Sequence, residues 1–270
     1  MLYDLHVHSN DSDGIYSRID LLRKANEMRF ECISFTDHDY ISNGNEIQKY
    51  ESMYGKCNVD IISGVELTVD ENKNMHILGY DIKNPIKLKN KLLELRSENA
   101  ELCLDLIKNL NQYYHFDLDI SEYQDYQISK GLIRRMIFDK GYADSIIEAG
   151  LKYTGVYSKF YFEAKFLKLY EIFEMVKEAD GIIVLAHPST LGISNYALDI
   201  FVKYLKELGL DGIEILNTCK TTIEQMEYYE MLARKYNLLT TCGSDFHESK
   251  HSLGIENEKS NELIRKIKER

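Results

Sequence analysis

The sequence predicts an α/β barrel built around one large core, and three observations lead there. Short β-branched or apolar runs alternate with helix-like stretches along the chain, the order expected of parallel strands joined by helical crossovers. At 270 residues with 44% hydrophobic content, the chain can bury one such core. Polar residues of metal-ligand type stand where the apolar runs end, among them His6, His8, His38, Glu66, His187, Asp245 and His247. Loops at strand C-termini are where parallel α/β barrels build their sites.

The first strand runs from Leu2 to His8, and the first helix from Ser17 to Met28, with Ser17 and Asp20 as an N-terminal capping pair. A strand at Cys32 to Thr36, a helix at Asn45 to Tyr54, strands at Asp60 to Leu67 and Met75 to Tyr80, and a helix at Lys87 to Gln112 follow. The pattern then breaks in a stretch rich in Tyr and charge, with short helical pieces such as Ile128 to Lys140. Long insertions at enzyme mouths are commonly functional, so this stretch is expected to be a lid or small helical subdomain. The alternation resumes with a helix at Phe166 to Ala179, a strand at Gly181 to His187 and a helix at Tyr196 to Leu208. A strand at Gly212 to Leu216, a helix at Thr222 to Tyr236 preceded by the capping pair Thr221 and Glu224, and a strand at Leu239 to Ser244 complete it. The expected organisation is a barrel from residues 1–112 and 165–270, with an inserted helical lid at 113–164.

Composition excludes several classes. The formal charge of -11 argues against extended double-stranded nucleic acid, because neutralising many phosphates needs a basic surface. Short nucleotides stay compatible, and bound divalent cations would offset part of the acidic excess locally. Five cysteines, odd in number and without a C-x-x-C, point to reduced thiols and supply no candidate nucleophile. No apolar stretch approaches a membrane span, and Asp4 and His6 interrupt any signal-like start, so a soluble, cytoplasmic protein is expected.

The chemistry is concentrated in two dyads. Residues i and i+2 of an extended strand share a face, so His6 and His8 project together, as do Asp245 and His247. Imidazole and carboxylate without thiolate suit Mn, Zn or Fe. More than four such residues imply more than one ion, and Glu66 is the natural bridge because a carboxylate can bind one cation with each oxygen. His115 and His251 are expected to be ordinary histidines.

Taken in order, Asp4-Leu5-His6-Val7-His8 through Asp13-Gly14, Phe35-Thr36-Asp37-His38-Asp39, Gly64-Val65-Glu66, Leu185-Ala186-His187-Pro188 and Gly243-Ser244-Asp245-Phe246-His247 resemble the polymerase and histidinol phosphatase (PHP) family of metal-dependent phosphoesterases. The resemblance implies a distorted (β/α)7 TIM-like barrel with two or three metal ions. It implies His6, His8, Glu66 and Asp245 for a first site, Glu66, His76 and His187 for a second, and Asp13, His38 and His247 for a third. Gly64 to Thr68, Met75 to Tyr80, the insertion and Leu208 to Glu214 are similar to the stand-alone branch of nucleoside 3',5'-bisphosphate phosphatases and short-RNA 5'-exonucleases. Two departures weaken cationic phosphate recognition: Lys130-Gly131-Leu132 stands for an Arg-Pro-His-like triplet, and Thr190 stands where a basic residue is common.

The expected activity is therefore hydrolysis of a phosphoester by water that divalent cations acidify, with in-line attack on phosphorus. The substrate implied is a nucleoside bisphosphate or the 5' end of a short oligonucleotide. A small metabolite such as histidinol phosphate is the second reading. A non-catalytic, metal-stabilised interaction module is the third, and it should have lost ligands, which this chain has not. His187, His247 and the acidic Asp245 are candidates for the proton step. Asp4, Asp37 and Asp39 are candidates for orienting the histidines. Arg134, Arg135, Lys130 and Lys220 are candidates for phosphate binding.

Overall fold

The computed structural model describes residues 1–248 and 252–270, so His251 lies outside the described residues. Among the described residues, eight strands form one sheet: β1 (Leu2–Val7), β2 (Cys32–Phe35), β3 (Asp60–Val69), β4 (Asn72–Tyr80), β5 (Ile182–Leu185), β6 (Gly212–Asn217), β7 (Leu239–Gly243) and β8 (Ile255–Glu256), in the order β7-β6-β5-β4-β3-β2-β1-β8. The sheet curls back on itself at β1 and β7. There Val7 bridges Phe246 in parallel, the His8 N–H donates to the Phe246 carbonyl at 3.0 Å, and the Asp245 N–H donates to the His6 carbonyl at 2.8 Å.

β1, β2 and β3 are parallel, and so are β5, β6 and β7, but β4 runs against both β3 and β5. β4 thus departs from the parallel-strand alternation expected from the sequence. Only Asp70 and Glu71 join β3 to β4, and so short a connection can return the chain only in the opposite direction, whereas a parallel pair needs a crossover of a dozen or more residues.

The helices of this unit are α1 (Arg18–Glu27) and α2 (Glu46–Tyr54) before the insertion, then α6 (Leu169–Glu178), α7 (Asn195–Leu208), α8 (Ile223–Tyr236) and α9 (Asn261–Lys268); α3 (Ile86–Tyr114), α4 (Lys130–Asp139) and α5 (Ile146–Ala149) lie between the two groups in chain order. Ser17 caps α1 by accepting the Asp20 N–H at 3.1 Å. The cap of α8 lies one residue later than the sequence suggested: Thr222 and Gln225 form the reciprocal box, while the Thr221 hydroxyl accepts the Asn217 N–H at 3.2 Å in the preceding turn. β8 and α9 were not among the expected elements: β8 is only two residues long, whereas Leu263, Ile264 and Ile267 recur at helical spacing and did mark α9 in the sequence.

β1 shows how the strands serve two purposes. Its odd-numbered Val7 packs with Leu21, Leu22, Ala25 and Phe30 of the α1 layer, while Asp4, His6 and His8 are buried on the other face. The barrel wall is thus apolar outward and chemically armed inward.

The chain divides into two compact units, Met1–Lys89 with Leu167–Arg270, and Asn90–Phe166. The second unit therefore takes in most of α3, which the sequence analysis placed with the barrel. The physical reason is the apolar stripe Cys103, Leu106, Ile107 and Leu110 along α3, which joins a separate core with Ile133, Met136 and Ile137 of α4, Ala149 and Tyr153. Among the described residues, no helix is long and apolar enough to cross a membrane.

Candidate metal centre

His6 and His8 leave β1 side by side, and β7 ends at Gly243 directly against them. A Cβ at Gly243 would stand 2.2 Å from the His6 Cβ, so this approach of two strands requires glycine. Beyond it Asp245 takes a left-handed φ of 55°, which returns its carboxylate to the same point. His8 Nε2 lies 3.2 Å from Asp245 Oδ1 and 3.2 Å from Glu66 Oε2, and His6 Nε2 lies 3.3 Å from Glu66 Oε2 and 3.5 Å from Asp245 Oδ1. Glu66 uses its other oxygen elsewhere: Oε1 is 2.8 Å from both His76 Nδ1 and His187 Nε2. Asp13 meets His247 Nε2 at 3.2 Å, His8 Nδ1 at 3.5 Å and His38 Nε2 at 4.0 Å. Eight of the nine ligand-type residues singled out from the sequence fall in three overlapping groups that share Glu66, His8 and His38, while His187 stands outside these groups and meets the centre through Glu66 Oε1.

The donor set fits cations. Ligands held about 2.1 Å from one ion stand about 3.0–3.4 Å apart at octahedral to tetrahedral angles, close to the spacings around Glu66 Oε2. His6 Nε2, both nitrogens of His8 and Glu66 Oε2 are buried and make no hydrogen bond. Buried polar atoms are normally paired, so these point at positions that a cation would fill.

Electrostatics agree. Burial would favour the neutral form of Glu66, but the charges of His76, His38 and His6 hold its carboxyl well below the usual range. Burial opposes a proton on His8, yet the surrounding carboxylates of Asp245, Glu66 and Asp13 lift it to about 10. His6 is raised well above its ordinary value against the same burial, by Glu214, Glu66 and Asp245. Buried carboxylates here demand positive charge, and metal-free His6, His8 and His76 meet that demand with protons, whereas burial pushes His38 down to about 3.

Asp4 accepts from the backbone N–H groups of His6, Ser244 and Gly254 and from the Ser244 hydroxyl, so it fixes the turn leading to Asp245. Asp37 accepts from the Ser9 N–H and from the hydroxyls of Ser9 and Ser12, securing the loop that carries Asp13. Asp39 accepts the Thr68 N–H at 3.0 Å. Arg18 stands behind Asp37, at 2.6 Å, and also meets Asp11 at 2.9 Å and Glu46 at 3.1 Å. Glu214, itself outside the donor groups, touches a ligand imidazole, 2.9 Å from His6 Nδ1. Its signal in sequence was a single acid inside the apolar run Gly212 to Leu216.

Of the basic candidates, Lys220 reaches the centre through an ion pair with Asp245. Lys130 donates to the Phe162 carbonyl and lies over the Tyr161 and Phe162 rings, and Arg134 donates to the Thr154 hydroxyl at 2.7 Å. Arg135 lies beside Arg134 on α4. His115 is exposed, just after α3.

Comparison with known proteins follows the same lines. Over 253 residues the chain is 27% identical to the 5'-3' exoribonuclease Rnm of Escherichia coli, covering 92% of this chain and 86% of that one. It is 24% identical to a 3',5'-nucleoside bisphosphate phosphatase of Chromobacterium violaceum, covering 90% and 86%. A crystal structure from Bifidobacterium adolescentis, described as a metal-dependent phosphoesterase, shares the fold with a TM-score of 0.81 at 23% identity, covering 98% of this chain and 94% of that one. The family model described as the PHP domain matches residues 4–185, and the chain belongs to the PHP domain family.

Proposed function

We propose that this protein is a metal-dependent phosphoesterase acting on a nucleotide, either a nucleoside 3',5'-bisphosphate or the 5' end of a short oligonucleotide, with two or three Mn, Zn or Fe ions. The observation that carries this reading is the clustering of three overlapping donor groups, two of which contain Glu66, with ligand lone pairs that no hydrogen bond uses. His6, His8, Glu66 and Asp245 would hold one ion, Glu66, His76 and His187 a second, and Asp13, His38 and His247 a third. Cations bound there supply Lewis acidity, lowering the pKa of water and neutralising charge on a transferring phosphoryl group.

The chain's own groups divide the remaining work. Glu66 offers one oxygen to each side of the centre. His187 has both ring nitrogens engaged, Nδ1 with the Thr190 hydroxyl at 3.0 Å and Nε2 with Glu66. His247 places Nδ1 2.7 Å from the Asp245 carbonyl, which can only accept, so Nδ1 carries the proton and Nε2 turns its lone pair toward Asp13. Both histidines are thereby assigned as ligands rather than as proton donors to the leaving group. The Lys220 ammonium, partly exposed beside Asp245, is the group placed to meet a substrate phosphoryl oxygen. Lys130 and Arg134 are engaged within the helical unit, so Lys220 leads the phosphate-binding reading.

Similarity to an exoribonuclease and to a nucleoside bisphosphate phosphatase supports a nucleotide, and the acidic chain favours a small one. The test is phosphate or nucleotide release with Mn supplied, from adenosine 3',5'-bisphosphate, a 5'-phosphorylated trinucleotide and histidinol phosphate in parallel. Turnover of either nucleotide supports the proposal. Preference for histidinol phosphate would transfer the same centre to a metabolite, and inertness of a metal-loaded protein toward all three would refute the substrate assignment.

A further inference from the structure

Glu214 is fully buried in β6, belongs to none of the donor groups, and yet touches both His6, a member of one of them, and His187, whose ring meets Glu66. Its Oε1 lies 2.9 Å from His6 Nδ1. Its Oε2 accepts the backbone N–H of His187 at 2.7 Å and the Asn217 amide at 3.4 Å. We infer that Glu214 is a positioning residue that sets the ring tautomer of His6 and the backbone of His187 together, and so governs cation affinity at the two positions that share Glu66. This inference rests on the metal-centre reading above.

The argument at His6 is one of proton accounting. An ionised carboxylate only accepts, so its contact with Nδ1 places the proton there. The lone pair is then on Nε2, the nitrogen that faces Glu66 Oε2 and Asp245 Oδ1. A carboxylate behind a ligand imidazole also raises its basicity.

At His187 the argument is one of backbone strain. His187 has φ 21° and ψ 70°, outside the regions open to residues with a side chain. It also precedes Pro188, which pushes the preceding residue toward extended conformations. Such a geometry persists when its surroundings over-determine it. Glu214 holds the N–H, while the Thr190 hydroxyl, donating to the Asn74 carbonyl at 2.9 Å, is left to accept from His187 Nδ1. The Nε2 lone pair of His187 is then turned to Glu66.

Glu214→Gln tests this because it keeps the shape and cannot keep both contacts. If the amide oxygen retains the His187 N–H, the amide NH2 faces His6 Nδ1, and that nitrogen must give up its proton, which moves to the metal-facing side. If the amide turns over, the His187 N–H confronts another donor. The experiment uses the full chain. Zn and Mn binding are titrated for wild type and Glu214→Gln, and two-bond 1H–15N histidine spectra are recorded on the Zn-loaded proteins. The wild type should show His6 protonated at Nδ1 with Nε2 on the metal. The variant should lose about 10- to 100-fold in metal affinity and lose that His6 signature, with its circular dichroism unchanged. Equal affinity and stoichiometry in the variant, or His6 bound through Nδ1 in the wild type, would overturn the inference. The wild-type spectrum decides the tautomer even if the variant does not fold. A wild type that binds metal normally but hydrolyses no nucleotide would overturn the substrate reading and leave this one standing.

Discussion

Replacing Arg18 by Met should be among the most damaging changes available outside the ligands themselves. Its guanidinium satisfies Asp37 at 2.6 Å, Asp11 at 2.9 Å and Glu46 at 3.1 Å, and both Asp37 and Glu46 are buried. Met fills similar volume but leaves those carboxylates in place, and removing one partner of a buried ion pair costs about 3–5 kcal/mol because the remaining charge is uncompensated. For a chain of this size that is a fall in Tm of roughly 6–20 °C, at about 2–4 °C per kcal/mol. Urea unfolding of metal-free protein measures it directly. Asp37 adds a sign test. Burial opposes its ionisation, but Arg18 and His8, with the hydrogen bonds from Ser12 and Ser9, together outweigh that and lower its pKa, so its contribution is present above the usual carboxylate range and lost as pH falls through the folded value. The gap between wild type and variant should therefore narrow in acid, and Arg18→Met with Asp37→Asn should recover part of the loss as a coupling of at least about 1 kcal/mol. A loss below about 1 kcal/mol at neutral pH, or a gap that widens in acid, would refute the reasoning.

The other predictions concern the centre. His8→Ala and Asp245→Ala should each abolish turnover and lower bound metal while leaving the fold; full activity in a metal-replete assay would sink the ligand assignment. Gly243→Ala should cost about 1–3 kcal/mol as an overpacked contact, because the new methyl meets the His6 Cβ, and calorimetry showing no loss would exclude that contact. Lys220→Met should raise KM for phosphate-bearing substrates by about 10- to 100-fold, the worth of a hydrogen bond to a charged group, with metal content unchanged; unaltered kinetics would remove Lys220 from recognition. Metal-free His8, with its folded pKa raised to about 10, lends stability that is complete below its ordinary 6.5 and lost as pH rises toward 10. Metal uptake at pH 7 should thus release protons and tighten with rising pH, which calorimetry in buffers of different ionisation enthalpy will show or exclude.

Much of the centre was legible because strand periodicity is local. His6 and His8, like Asp245 and His247, stand two apart, and an extended backbone puts such pairs on one face whatever surrounds them. The apolar run before His187 marked it as following a strand end, whereas Glu66, read the same way, lies inside β3. Tertiary structure decided the rest. That β4 runs antiparallel follows from its two-residue link to β3 and from its pairing with β5, a partner that lies beyond the whole insertion. The division of α3 between the units depends on which apolar faces meet its stripe. Basic character in Lys130, Arg134 and Lys220 was visible, but the partners that occupy the first two and leave the third at the centre were not. Glu214 is the clearest case. In sequence it is one acid in an apolar strand, and its role arises when barrel closure brings β1 and the end of β5 to its two oxygens. Residue type and short-range spacing determine which groups can bind a cation, whereas long-range strand order determines which of them share one.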